Sequence, residues 1–219
     1  MAIQPEVESP ISILISQSKH ESVAEFKSEM EQSMLFREKN RNREYAIKRA
    51  IKNGFKGRLF VEFGVAEGAG CRLFSGALAK HGQTLTGFDS FEGLEEDWTG
   101  IQSGRSAGAF SQDDKLPDVP DNVTLIKGWI QDTLPTYLKG QKKQKFGFIH
   151  MDMDTYTPTR FALEAVKDHL APGTVVLFDE LYGYPGWRHH EYKALQEVLN
   201  RASYKFISFS AESVAIEIV

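Results

Sequence analysis

The chain has 219 residues, with 26 Lys and Arg against 30 Asp and Glu, a net charge of −4. That length suits one domain with a sizeable core, and the acidic balance argues against a nucleic-acid partner. One cysteine, Cys71, excludes an intrachain disulfide and points to a reducing compartment. The first ten residues carry Glu6 and Glu8 but no basic residue, and the apolar run from Ile11 to Ile15 is short and broken by Ser12. Neither a signal peptide nor a membrane span is expected, so the chain reads as soluble and cytoplasmic, with no membrane partner.

Residues 1–18 read as loosely ordered. From about 19 to 53, Val23, Phe26, Met30, Met34, Tyr45, Ile47 and Ile51 recur near a 3.6-residue period, which predicts helix ended by Asn53-Gly54. Residues 1–53 are thus an expected N-terminal helical extension or lid, suited to capping a site or pairing in a homodimer, and 54–219 the main domain. Two basic runs, Arg37, Lys39, Arg41, Arg43 and Lys139, Lys142, Lys143, Lys145, read as solvated faces. Strands are predicted at 58–63, 84–88, 122–126, 146–151, 174–178, 204–209 and 213–218, with helices at about 69–80, 131–139, 158–170 and 188–201. Residues 91–121 are rich in Gly, Ser, Asp and Pro without a period, a long loop of the kind that serves as a lid. Alternating strands and helices predict an α/β fold, a parallel sheet covered on both faces. The tight connection at Ala211-Glu212 makes the last strand antiparallel, because parallel pairs need long crossovers.

Chemistry concentrates at strand ends. The first strand runs into Glu62-Phe63-Gly64-Val65-Ala66-Glu67-Gly68-Ala69-Gly70. The glycines follow G-x-x-x-G-x-G rather than the dinucleotide spacing G-x-G-x-x-G, and an acid precedes them. Backbone N–H groups and a helix N-terminus beside an acid suit a ligand with positive charge, such as S-adenosylmethionine (SAM). The second strand ends at Asp89, placed to accept hydrogen bonds from ribose hydroxyls. The fourth ends in Asp152, then Asp154, and the fifth in Asp179-Glu180. His150 lies inside the fourth strand and reads as a buried structural residue. His189 and His190 are alternative bases, and the aromatic run from Tyr182 to Trp187 reads as part of an acceptor pocket together with the 95–121 loop.

In combination these motifs resemble the class I SAM-dependent methyltransferases, and among them the macrocin O-methyltransferase family. The resemblance is carried by Phe60-Val61-Glu62-Phe63-Gly64-Val65, Gly87-Phe88-Asp89-Ser90-Phe91-Glu92-Gly93-Leu94, Gly128-Trp129-Ile130-Gln131-Asp132, His150-Met151-Asp152-Met153-Asp154-Thr155-Tyr156 and Phe178-Asp179-Glu180. It implies a Rossmann-like, seven-stranded sheet of order 3-2-1-4-5-7-6 with strand seven antiparallel. It implies that Gly64, Val65, Ala66, Glu67 and Gly68 pass beside the methionine moiety, with Glu62 and Asp152 also at the cofactor. Asp89 then holds the ribose, Ser90 and Phe91 border the adenine, and Gly128 and Trp129 close its other side. In that sheet order Asp152, Asp179 and Glu180 end neighbouring strands and can converge on one hard cation, magnesium in the family. This chain has Asp-Glu at 179–180 where the family has Asp-Asp. Asp152 is the expected base, ahead of Asp154. The implied activity is methyl transfer to a hydroxyl of a small molecule, a sugar or natural product. A metal-independent N- or C-methyltransferase and a non-catalytic SAM-binding module stay open beside it.

Overall fold

A computed structural model describes residues 9–101, 103–142 and 144–219. Helix α1 spans Pro10–Glu31, opened by Ser9, whose side chain accepts from the Ser12 N–H, with Pro10 in the first turn. Strand β1 follows at Met34–Phe36 and helix α2 at Lys39–Asn53, which ends at Gly54 with φ of 122°. The helix expected over 19–53 is therefore two helices with a strand between them. Residues 10–18, expected to be loose, form the first turns of α1, while residues 1–8 lie outside the described residues. Lys143 of the second basic run also lies outside them; Lys139, Lys142 and Lys145 are exposed as expected.

The remaining order is β2 Arg58–Phe63, α3 Ala69–Ala79, β3 Leu85–Asp89, β4 Val123–Lys127, α4 Ile130–Gly140, β5 Lys145–Met151, α5 Tyr156–Val166, β6 Val175–Phe178, α6 Glu191–Val198, β7 Tyr204–Ser210 and β8 Ser213–Ile218. One sheet runs β1-β7-β8-β6-β5-β2-β3-β4, parallel except for β8. From β4 to β7 this is the expected order, and β1 adds an eighth strand where seven were expected. It pairs Met34 with Ser208 and Phe36 with Ser210.

Side chains alternate across the sheet, so Phe60 and Val61 enter different cores. One core holds α2 and α3, through Ala46, Ile47, Phe74 and Leu78. The other holds α1, α4, α5 and α6, with Phe26 of α1 against Tyr182, Trp187, Tyr192, Phe206 and Phe209 at centroid distances of 5.3 to 5.8 Å. No helix among the described residues is long and apolar enough to cross a membrane.

Candidate active site

The parallel strands β2 to β6 present their carboxyl ends together, the edge at which open α/β sheets bind ligands. A cavity of about 320 Å³ lies there, walled by residues from the ends of β2 to β6, the 93–110 loop, α2 and α5. Its floor depends on one glycine. Gly64 has φ of 86°, and a Cβ there would lie 1.7 Å from the carbonyl oxygen of Asp152. Only glycine lets the end of β2 pass so close to the end of β5.

Asp89 shapes the turn that follows. Its Oδ2 accepts the N–H groups of Val65 and Ala66 at 2.7 and 2.8 Å, and its Oδ1 accepts that of Phe91 at 2.6 Å. Carboxylate oxygens thus stabilise two turns that each hold a left-handed residue, Ala66 after β2 and Phe91 after β3. Of the residues predicted around a cofactor, Gly64, Ala66, Asp89, Ser90, Gly128, Trp129 and Asp152 line the cavity. Val65, Glu67, Gly68 and Phe91 do not line it; Glu67 is exposed and the other three are buried.

Glu62 also lies off the wall. It is buried, its Oε1 lies 2.9 Å from His150 Nδ1, and its Oε2 has no partner. His150 Nε2 lies 3.2 Å from Asp179 Oδ1, so a buried Glu62–His150–Asp179 chain runs beneath the site. Burial alone would lower the His150 pKa. The hydrogen bonds to Asp179 and Glu62 and the charges of Asp152 and Asp179 outweigh it and hold the ring at about 10. The imidazolium then donates from both ring nitrogens.

The three residues expected to share a metal do not share one environment. Asp179 accepts Arg43 Nε on Oδ1 at 3.0 Å, Arg43 Nη2 on Oδ2 at 2.7 Å, Lys39 Nζ on Oδ2 at 3.0 Å, and His150 as above. Those contacts fill the roughly four acceptor sites of a carboxylate. Burial would raise its pKa, but His150, Lys39 and Arg43 hold it well below the usual range. Instead, Asp152, Asp154 and Glu180 each offer an oxygen, all within 4.8 Å of one another. Burial and then the charge of Asp179 raise both Asp152 and Glu180 well above the usual range. Asp154, in a left-handed backbone with φ of 62°, is raised by burial to about 6. Glu180 Oε2 is buried without a partner. An all-oxygen trio with an unsatisfied carboxylate oxygen fits a hard divalent cation such as magnesium.

Lys39 and Arg43 were predicted to be solvated, and the structure turns both inward while Arg37 and Arg41 stay exposed. Their i, i+4 spacing was the available sign that they share a helix face. The aromatic run is also placed differently from expectation. Tyr182 and Trp187 are buried against Phe26 and Tyr184 against Trp98, and the cavity's aromatic surfaces come from Phe88, Trp98, Phe110 and Trp129. His190 is buried with Nε2 2.9 Å from the Thr99 carbonyl oxygen, and neither it nor His189 lines the cavity.

Comparison with known proteins gives a consistent result. Residues 61–181 match a family described as a methyltransferase domain. The chain is 27% identical over 157 residues to the 8-demethyl-8-(2,3-dimethoxy-alpha-L-rhamnosyl)-tetracenomycin-C 4'-O-methyltransferase of Streptomyces olivaceus, covering 64% of this chain and 58% of that protein. It is 24% identical to the mycinamicin III 3''-O-methyltransferase of Micromonospora griseorubida, covering 74% of this chain and 70% of that one. The calicheamicin methyltransferase CalS11 shares the fold with a TM-score of 0.65 at 19% identity, covering 97% of this chain and 94% of that one. The O-methyltransferase NovP does so at 0.61 and 24%, covering 82% and 79%.

Proposed function

The chain belongs to the methyltransferase-domain family, and on that premise we propose that it is a SAM-dependent O-methyltransferase acting on a hydroxyl of a small molecule, a sugar or natural product. The observation that carries this reading is a single cavity with the Asp89-anchored glycine turn on one side and Asp152, Asp154 and Glu180 on the other. The names of the two curated relatives, both sugar O-methyltransferases of natural products, support the acceptor class.

In this reading the backbone from Gly64 to Gly68 runs beside the methionine moiety. Asp89, with one acceptor site left after its three N–H partners, takes a ribose hydroxyl. Ser90 and Trp129 border the adenine. Methyl transfer from a sulfonium is an in-line displacement, so the chain must align an acceptor oxygen with the methyl group and remove its proton. Asp152 is the proposed base. It lines the cavity and its side chain is 28% exposed, so an acceptor hydroxyl can reach it. The acidic wall also opposes the positive sulfonium, favouring its approach. Asp152, Asp154 and Glu180 would hold magnesium, which supplies charge neutralisation and acidifies a bound hydroxyl. Metal-independent transfer is the second reading, favoured by Lys39 and Arg43, which already oppose the charge of Asp179 and Glu180.

Label transfer from methyl-tritiated SAM to a panel of hydroxylated glycosides tests the proposal, with and without EDTA. Label in an ether product supports O-methylation. Label on nitrogen or carbon contradicts it, and turnover unchanged by EDTA selects the metal-independent reading.

A further inference from the structure

Two cations reach the acidic end of the cavity from α2, and they differ in kind. Arg43 is committed. Its planar fork meets both oxygens of Asp179 in a paired geometry that few other side chains reproduce. Lys39 is a bridge, its ammonium donating to Glu180 Oε1 and to Asp179 Oδ2. It stands at the first residue of α2 and its side chain is 28% exposed. A flexible four-carbon stem at a helix start can swing to water without disturbing the helix behind it.

Glu180, the partner of that ammonium, is also one of the three acids whose oxygens converge. The ammonium therefore already neutralises, as a single positive charge, one oxygen of a carboxylate in the trio, beside the unpartnered Oε2. Two cations cannot share a partly buried carboxylate at close range without strong repulsion. Four carboxylates gather here, Asp152, Asp154, Asp179 and Glu180, against the two cations of α2. A divalent ion replacing the ammonium brings one more positive charge to these acids than it displaces.

We propose that the Lys39 ammonium is the resident cation of this carboxylate site, and that a divalent ion binds only by displacing it. Lys39 thereby sets the affinity of the site for metal. The proposal rests on the reading of Asp152, Asp154 and Glu180 as a divalent-cation site. Arg43 keeps its paired bonds to Asp179 through the exchange, with Nη2 a looser 3.6 Å from Asp152 Oδ2.

The test is direct binding of manganese(II), followed by the loss of its free-ion electron paramagnetic resonance signal, to the full chain and to Lys39→Met and Lys39→Arg. Losing a charge-assisted bond that metal must otherwise break predicts roughly ten- to hundredfold tighter binding in Lys39→Met. Lys39→Arg, which keeps a cation, should stay near the parent. Lys39→Gln covers the case in which methionine at this half-buried position prevents folding. Parent and neutral variants binding equally, or the variants binding more weakly, overturns the role of Lys39 and leaves the metal site standing. Manganese binding to none of them overturns both.

Discussion

Asp89 holds three backbone N–H groups with two oxygens, so its substitution removes the scaffold of the turn as well as a ribose contact. Asp89→Ala is expected to weaken S-adenosylhomocysteine binding by about 2–3 kcal/mol, the scale of hydrogen bonds to a charged group, as read by calorimetry. Asp152 makes the contrasting case. Asp152→Asn keeps the shape and loses the proton acceptor, so turnover should fall at least about 100-fold. Affinity for S-adenosylhomocysteine, which has no sulfonium charge, should change little in the same variant, because the turn contacts come from Asp89. A variant that turns over at the parent rate would place the base elsewhere. Asp89 and Asp152 were legible from strand-end position alone. Lys39 and Arg43 were not, because a run of basic residues on a polar helix ordinarily faces water. Their acidic partners lie about 140 positions away, a separation no local pattern encodes.

At the scale of elements, α2 is tied at both ends. Its first half is bonded to Asp179, and its second half to Glu217 of β8, which accepts from Arg49 and Asn53. Burial would raise the Glu217 pKa, but hydrogen bonds from Arg49, Asn53 and Lys205 pull it down to about 2. A depressed carboxylate contributes stability above its unfolded value near 4.5 and loses it as pH falls through the folded value. Melting temperature should therefore drop between about pH 4.5 and 2, and Glu217→Gln should flatten that drop while lowering stability near neutrality. A parallel acid profile in both proteins would deny the tie its weight. On the opposite face Phe26 docks α1 through five aromatic neighbours, so Phe26→Ala should cost about 3–5 kcal/mol in denaturant unfolding. A loss under about 1 kcal/mol would mean that α1 is not part of the cooperative core. Strand β1 escaped the sequence because three residues give no period, and neither Gly nor Pro marks the break between α1 and α2. The aromatic residues 182–187 misled for a related reason. Stacking surfaces and core anchors have the same composition, and only the position of Phe26 decides between them.

Over the whole molecule, alternating strands and helices were enough to predict a covered parallel sheet with an antiparallel last strand. The order of strands came from the family resemblance, and the structure reproduces it with one strand added at the β7 edge. That order brings Asp89, Asp152 and Asp179-Glu180, scattered over 92 positions, to one end of the sheet. The exact grouping of the acids depends on rotamers and on the inward cations, and these emerge only from packing. This cavity is the proposed site of SAM binding. Calorimetric titration of the purified chain with S-adenosylhomocysteine, with NAD as the comparison, tests it most directly. Saturable binding of S-adenosylhomocysteine at one site per chain is expected, with no heat from NAD and marked weakening in Asp89→Ala. No binding of S-adenosylhomocysteine, or equal binding of NAD, would contradict it.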